Sequence, residues 1–203
     1  MFSQPDQHLS PELSIQLRTD YRGDLTGVRV LRQGQRIDYE RTNRRAHAVF
    51  DAPRAELGEF FRSSRDFAKV LGEGAVLDLG CGGGGLVKDL RTLGMEAFGL
   101  DLVLDPGCQR SSAFVSGDAY DPPFAPGTFK CILSIFSVFH YEPAQSIPRL
   151  LGRSLDLLAP GGRLLINALH REETHHLVVQ MAHQRGATVF QDLTDGALQI
   201  IRI

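Results

Sequence analysis

VLDLGCGGGGLVKDL, residues 76–90, decides the fold. An apolar run passes into five glycines around one cysteine and then into a helical pattern, which predicts strand, glycine loop and helix. Asp78 closes the strand, and Gly80, Gly82 and Gly84 follow at alternate positions, where the missing Cβ atoms let the backbone turn sharply and a ligand come close. From Leu86 the apolar residues Leu86, Val87, Leu90 and Leu93 make a one-sided stripe that packs the helix back onto a sheet. A cofactor is expected on this loop.

Glycine-rich turns of this kind are common to nucleotide-binding α/β folds, so the loop alone does not name its ligand. The order of its residues narrows the choice. A dinucleotide fingerprint spaces its glycines G-x-G-x-x-G, so that a pyrophosphate meets the helix N-terminus. Here a carboxylate leads, as Asp-x-Gly-x-Gly-x-Gly, which repels a pyrophosphate and suits a ligand carrying an ammonium group. No Gly-Lys-Ser/Thr follows, which removes the phosphate-cradling loop of nucleoside triphosphatases.

In these residues the chain resembles the class I S-adenosylmethionine-dependent methyltransferases, whose first motif, hydrophobic-Asp-x-Gly-x-Gly-x-Gly, is matched by Asp78, Gly80, Gly82 and Gly84. Order and spacing resemble the family's from Val76 to about Arg163. The resemblance implies S-adenosyl-L-methionine as the cofactor. Its aminocarboxypropyl end is expected on Asp78 and the loop Gly80, Cys81, Gly82 and Gly84.

MEAFGLDL, residues 95–102, predicts a second strand ending in Asp101 with Leu102 beside it. A carboxylate about twenty residues past a glycine loop is where nucleotide-binding sheets place the acceptor for ribose hydroxyls. SAFVSGDAYDPPF, residues 112–124, gives a third short strand and then Gly117, Asp118 and Ala119. The resemblance implies that Asp118 and Ala119 read the adenine; the bland alternative is a Gly-Asp turn. Asp121, Pro122, Pro123 and Phe124 spell a DPPF similar to the catalytic motif of amino-group methyltransferases acting on nucleic acid. It precedes the fourth strand rather than ending it, so it is read as a loop between strands.

FKCILSIFSVFHY, residues 129–141, predicts the fourth strand and its exit, apolar throughout from Cys131 as a strand buried on both faces would be. Lys130 stands where the family commonly has aspartate. The resemblance implies that Ser134 and Ile135 lie by the methionine part of the cofactor. Phe139, His140 and Tyr141 come next, at the carboxyl end of the strand, where open α/β sheets bind ligands. His140 is the candidate acid–base residue, with a packing histidine as the alternative. Phe139 and Tyr141 are weaker substrate-contact candidates.

Residues 143–158 carry Ile147, Leu150, Leu151, Leu155 and Leu158 at helical spacing, and Ala159-Pro160-Gly161-Gly162 ends the helix before a fifth strand. His170, His175, His176 and His183 fall in the next helix. Neighbouring positions lie about 100° apart on a helix and no cysteine or carboxylate set completes a zinc site, so no metal is expected. Asp195-Gly196 between two apolar runs is a hairpin signal.

Ahead of the glycine motif, residues 1 to about 26 are polar, with Pro5, Pro11, Gly23 and Gly27 interrupting any regular pattern, and read as a mobile or draped arm. GVRVLRQGQRIDYE predicts a short hairpin, and Leu57, Phe60, Phe61, Phe67 and Leu71 a helix over 54–71. Arginines at 29, 32, 36, 41, 44 and 45 are interleaved with Asp20, Asp24, Asp38 and Glu40, which favours a solvated face over a phosphate-binding patch. The resemblance leaves Tyr39 and Arg44 as weak substrate candidates. Residues 1–50 are thus an N-terminal arm or cap, and 51–203 the methyltransferase domain.

With 203 residues, 42% hydrophobic, 23% charged and a net charge of −2, the chain fits one domain with a full core and shows no basic excess that advertises nucleic acid. No apolar run reaches the roughly 20 residues of a membrane helix, and the N-terminus lacks a secretory core. Cys81, Cys108 and Cys131 are too scattered for disulfides or a zinc set. The expectation is a cytoplasmic monomer or homodimer without a membrane partner. The fold class is α/β, a Rossmann-like, mostly parallel sheet with helices on both faces. The resemblance implies seven strands in the order 3-2-1-4-5-7-6, with an antiparallel C-terminal hairpin. The expected activity is methyl transfer to a small-molecule acceptor. An RNA or protein methyltransferase, or a non-catalytic S-adenosylmethionine-binding regulatory module, is the alternative.

Overall fold

A computed structural model describes residues 13–19, 25–32, 35–40, 71, 73–135, 137–166, 172–191 and 198–201. Two sheets organise them. The first is a small antiparallel sheet of β1 (Leu13–Thr19), β2 (Leu25–Arg32) and β3 (Gln35–Glu40), in that spatial order. Its register places Ile15, Val30 and Ile37 in one row and Leu17, Val28 and Tyr39 in another. The hairpin expected at 27–40 is present, whereas the arm expected over 1–26 contains β1. Pro5, Pro11 and Gly23 flank the strand rather than interrupt it, and the alternation of Ile15 and Leu17 with polar neighbours carries it.

The second sheet is built from β4 (Val76–Leu79), β5 (Ala97–Asp101), β6 (Phe114–Ser116), β7 (Phe129–Ser134), β8 (Leu158–Ile166), β9 (Thr188–Gln191) and β10 (Leu198–Ile201). Spatially the strands run β6-β5-β4-β7-β8-β10-β9. The first five in that order pair in parallel, and β10 pairs antiparallel with both β8 and β9. The helices are α1 (Gly85–Thr92), the single turn α2 (Val138–Tyr141), α3 (Ile147–Leu157) and α4 (Glu172–Gln184).

Successive strand residues face opposite sides of the sheet, so one strand feeds two cores. Val76, Cys131, Leu133 and Leu165 pack with Val87 and Leu90 of α1. Leu77, Leu79, Ile132 and Leu164 pack with Leu150, Leu151 and Leu155 of α3 and with Val178 and Ala182 of α4. β4 lies at the centre because the chain runs from it outward through β5 to β6 and then returns to β7 on its other side. The carboxyl edge at such a reversal is where open α/β sheets bind ligands.

Two further sequence expectations are corrected. Leu93 does not belong to the buried stripe of α1: the helix ends at Thr92, and Leu93 is 52% exposed at its C-terminal cap. Phe139 is 1% exposed and packs in the core beneath α3, so that side chain has no open face for a substrate. Lys130, in place of the aspartate common in the family, donates from Nζ to the Pro160 carbonyl at 2.8 Å and ties the start of β7 to the first turn of β8. DPPF lies in the connection from β6 to β7, where Phe124 meets Phe129 edge-to-face at 5.0 Å. Arg44, His170, the helix expected over 54–70 and the turn at Asp195-Gly196 lie outside the described residues, as does the side chain of Tyr39. No helix among the described residues is long and apolar enough to cross a membrane.

Candidate active site

β4 delivers Asp78 and then the loop. The Gly80 and Cys81 amides both donate to the Leu100 carbonyl, at 2.8 and 3.1 Å, which pins the turn to β5. Gly80 has a φ of 83°, and a Cβ there would fall 2.8 Å from the Cβ of Ser137. At Gly84, with a φ of 71°, a Cβ would run into the Phe114 ring and come 2.8 Å from Cys108 Sγ. Both glycines are therefore required by backbone conformation and by packing. The Cys81 side chain turns inward against Gly99, so at this position the loop offers backbone outward and a thiol to the core.

Asp78 and Asp101 end neighbouring strands. Burial, and next the charge of Asp101, raise the Asp78 carboxyl from 3.8 to about 7. A buried carboxylate is costly without a counter-charge, so this position favours a cation. Asp101 is oriented by two backbone amides: Gly82 donates to Oδ2 at 2.7 Å and Val103 to Oδ1 at 3.1 Å. A carboxylate has roughly four acceptor sites, so orientation by the loop is compatible with accepting a diol as well. Leu102 follows, its carbonyl accepting from the Ser116 hydroxyl at 3.1 Å.

One strand further out, the Gly117 amide donates to the Asp101 carbonyl at 2.9 Å, which holds the β6 exit against β5. Asp118 makes an Asx turn, its Oδ1 accepting from the Tyr120 amide at 3.0 Å. Ala119 is buried behind it. On the opposite side of β4, the β7 exit carries Ser134, Ile135 and α2. Ser134 is buried and shares a 2.8 Å hydroxyl bond with Ser137; Ile135 packs against the α1-side core. His140 and Tyr141 are half-buried with their rings edge-to-face at 4.7 Å, and the His140 amide donates to the Ser137 carbonyl at 2.9 Å. β3 packs against α2, which brings the small sheet to this side.

The sheet thus lays out Asp118, Asp101, Asp78 and His140 one per strand across its carboxyl edge, in the order β6-β5-β4-β7. The polar groups fit an adenosine carrying a cationic amino acid tail: a carboxylate acceptor and a backbone N–H donor for a base edge, a carboxylate for a diol, and a buried carboxyl for an ammonium. Ser137, Tyr120 and Glu142 also shape this edge, and sequence reasoning did not single them out. Ser137 is the one detectable signal, a hydroxyl interrupting an apolar run. Glu142, before a proline, reads as a solvated turn. Among the described residues no group of three or more histidine, cysteine or acidic side chains is placed to hold a metal.

Residues 76–162 match a family model described as a methyltransferase domain. A 126-residue stretch, 56% of the chain, is 31% identical to the "Probable non-canonical nonribosomal peptide synthetase (NRPS) CymA" of Salinispora arenicola, and spans 2% of that protein. In fold the chain is similar to the PH0226 protein of Pyrococcus horikoshii, with a TM-score of 0.55 and 19% identity over 77% of this chain and 90% of that one. It is also similar to the 1,6-didemethyltoxoflavin-N1-methyltransferase of Burkholderia thailandensis, with a TM-score of 0.51 and 16% identity over 82% and 93%. Residues 76–162 thus match a methyltransferase domain, in a chain whose fold is similar to that of solved S-adenosylmethionine-dependent methyltransferases.

Proposed function

We propose that the chain transfers a methyl group from S-adenosylmethionine to a small-molecule acceptor by in-line displacement. The observation that carries this reading is the one-per-strand order of Asp118, Asp101, Asp78 and His140 along a single sheet edge. Asp118 and the Ala119 amide hold the adenine, Asp101 the ribose hydroxyls, and Asp78 with the loop Gly80 to Gly84 the aminocarboxypropyl end. When bound, the cofactor supplies an activated methyl on a sulfonium. The protein's own task is alignment: an acceptor held in line can gain most of its acceleration from orientation alone. His140 takes the acceptor's proton as its lone pair is used, and Tyr141 packs against the acceptor.

A small acceptor is supported by the net charge of −2, which supplies no electrostatic footprint for nucleic acid, and by the relative named as a nonribosomal peptide synthetase. Residues 1–50 act as a cap on the acceptor side, consistent with β3 lying against α2. Cys81, Cys108 and Cys131 are buried thiols, a form that suits a reducing compartment such as the cytoplasm.

Calorimetry with S-adenosylhomocysteine and with NAD tests the cofactor; binding of NAD alone overturns the reading. Incorporation of labelled methyl from S-adenosylmethionine is then measured with small amines, phenols and thiols in parallel with bulk RNA and protein. Labelling confined to RNA or protein sinks the small-acceptor assignment.

A further inference from the structure

α2 is four residues long, too short to be stable by itself, yet it carries His140 and Tyr141. Side chains at both of its ends fix it. At the N-terminal end Ser137 Oγ donates to the Leu79 carbonyl at 2.5 Å and so binds the helix to the end of β4. At the C-terminal end Glu142 Oε2 accepts from the Tyr120 hydroxyl at 2.5 Å. The Glu142 amide in turn donates to the Val138 carbonyl at 3.0 Å, which closes the turn.

The second tie crosses from the other side of the sheet. Tyr120 directly follows Asp118 and Ala119, and its amide is the donor that shapes the Asp118 turn. Arg149 of α3 stands 5.6 Å from the Tyr120 ring centroid and lies over that ring. Tyr120 is 3% exposed and Glu142 1%, so the bond lies out of water, where a phenol–carboxylate contact is of the stronger kind and is not replaced by solvent when broken. One side chain therefore joins the loop assigned to adenine to the helix assigned to the acceptor.

We propose that Glu142 is a positioning residue, and that the Tyr120–Glu142 bond couples the adenine loop to the placement of His140 and Tyr141. The inference rests on the methyltransferase reading above. Adenine fixes the Asp118 turn, the turn fixes the Tyr120 amide, and the Tyr120 hydroxyl holds the C-terminal end of α2 in register. Seating the cofactor then steadies the acceptor face further.

Amide hydrogen exchange with and without S-adenosylhomocysteine tests this without an acceptor. In the unmodified protein, ligand slows exchange in α2 as well as in residues 118–121. Tyr120→Phe keeps the ring and removes the bond; it binds S-adenosylhomocysteine within about threefold of the unmodified protein but loses about tenfold of the added protection in α2, a typical coupling between sites. Glu142→Met, of similar length and without an acceptor oxygen, gives the same loss with Tyr120 intact, and Glu142→Gln, which keeps an acceptor, restores most of it. Equal α2 protection in all variants overturns the coupling while leaving the methyltransferase reading standing. Absence of S-adenosylhomocysteine binding to the unmodified protein overturns both. If Tyr120→Phe and Glu142→Met both fail to fold while Glu142→Gln folds, the bond is structural and the coupling role falls.

Discussion

Ser137 occupies the space a side chain at Gly80 would need. A Cβ at position 80 would lie 2.8 Å from Ser137 Cβ and 3.1 Å from its Oγ, while that same Oγ donates to the Leu79 carbonyl at 2.5 Å. The glycine loop and the start of α2 are thus packed through one contact. Gly80→Ala meets this overlap and also a φ of 83°. The expected loss is about 2–4 kcal/mol of stability, combining overpacking with left-handed strain. Ser137→Gly in the same chain removes the overlap but not the strain. Chemical denaturation of both single variants and the double should show a favourable interaction term; simple additivity would refute the packing account.

Asp78→Asn is expected to act in opposite directions on folding and on binding. Burial is the main cause that raises the Asp78 carboxyl to about 7, with the Asp101 charge second. The folded-state value lies above the ordinary one, so this group's contribution is most favourable at low pH and is lost as pH rises through about 7. At pH 8 the charged, buried form is a cost that asparagine avoids. The variant should gain about 1–3 kcal/mol of stability there and bind S-adenosylhomocysteine at least about tenfold more weakly, having lost the counter-charge for an ammonium. Urea denaturation and calorimetry at pH 8 read the two effects separately.

Proton linkage follows from the same shift. Below pH 7 the free protein carries Asp78 protonated, and a ligand ammonium favours the carboxylate. S-adenosylhomocysteine binding should therefore weaken by up to about tenfold per pH unit below 7 and release a proton as it occurs. Calorimetry in buffers of different ionisation enthalpy at pH 6 detects that release, and Asp78→Asn should abolish it.

His140→Ala should leave S-adenosylhomocysteine affinity unchanged and lower kcat by about 100-fold if the imidazole takes the acceptor's proton. The loss should be smallest for acceptors that are already deprotonated at the assay pH. Turnover equal to that of the unmodified protein for a high-pKa acceptor reduces His140 to a packing residue against Tyr141.

What the sequence revealed, and what it hid, follows from the range of each interaction. The strand, loop and helix at 76–92 were legible because local backbone conformation and a local apolar stripe specify them; the stripe overran by one residue, since apolarity at Leu93 does not show that the helix has ended. Asp101 was legible because strand spacing fixes it relative to the loop. β1 was misread because its partner rows, Ile15 with Val30 and Leu17 with Val28, are formed across a turn and not along the chain. Phe139 was recognised as apolar but not as core: one helical turn after β7 rotates successive side chains by about 100°, where a continued strand would alternate them. Tyr120 and Glu142 are 22 residues apart and share no period, so nothing local announces their bond.

Asp101 is expected to control the titration of Asp78 as well as the ribose site. Asp101→Asn keeps an oxygen for one of the two backbone amides, Gly82 or Val103, that orient the native side chain at 2.7 and 3.1 Å. It removes a negative charge that helps raise Asp78. The Asp78 carboxyl should therefore fall below about 7 in the variant, and the pH at which S-adenosylhomocysteine binding begins to weaken should move lower. At pH 8 the same variant should bind about tenfold less tightly or worse, because an amide accepts a ribose diol less well than a carboxylate does. A pH profile displaced to lower pH, together with a weaker plateau, is the combined signature. If the plateau weakens but the pH midpoint stays where it was, burial alone sets the Asp78 carboxyl and the two strand ends do not communicate through charge.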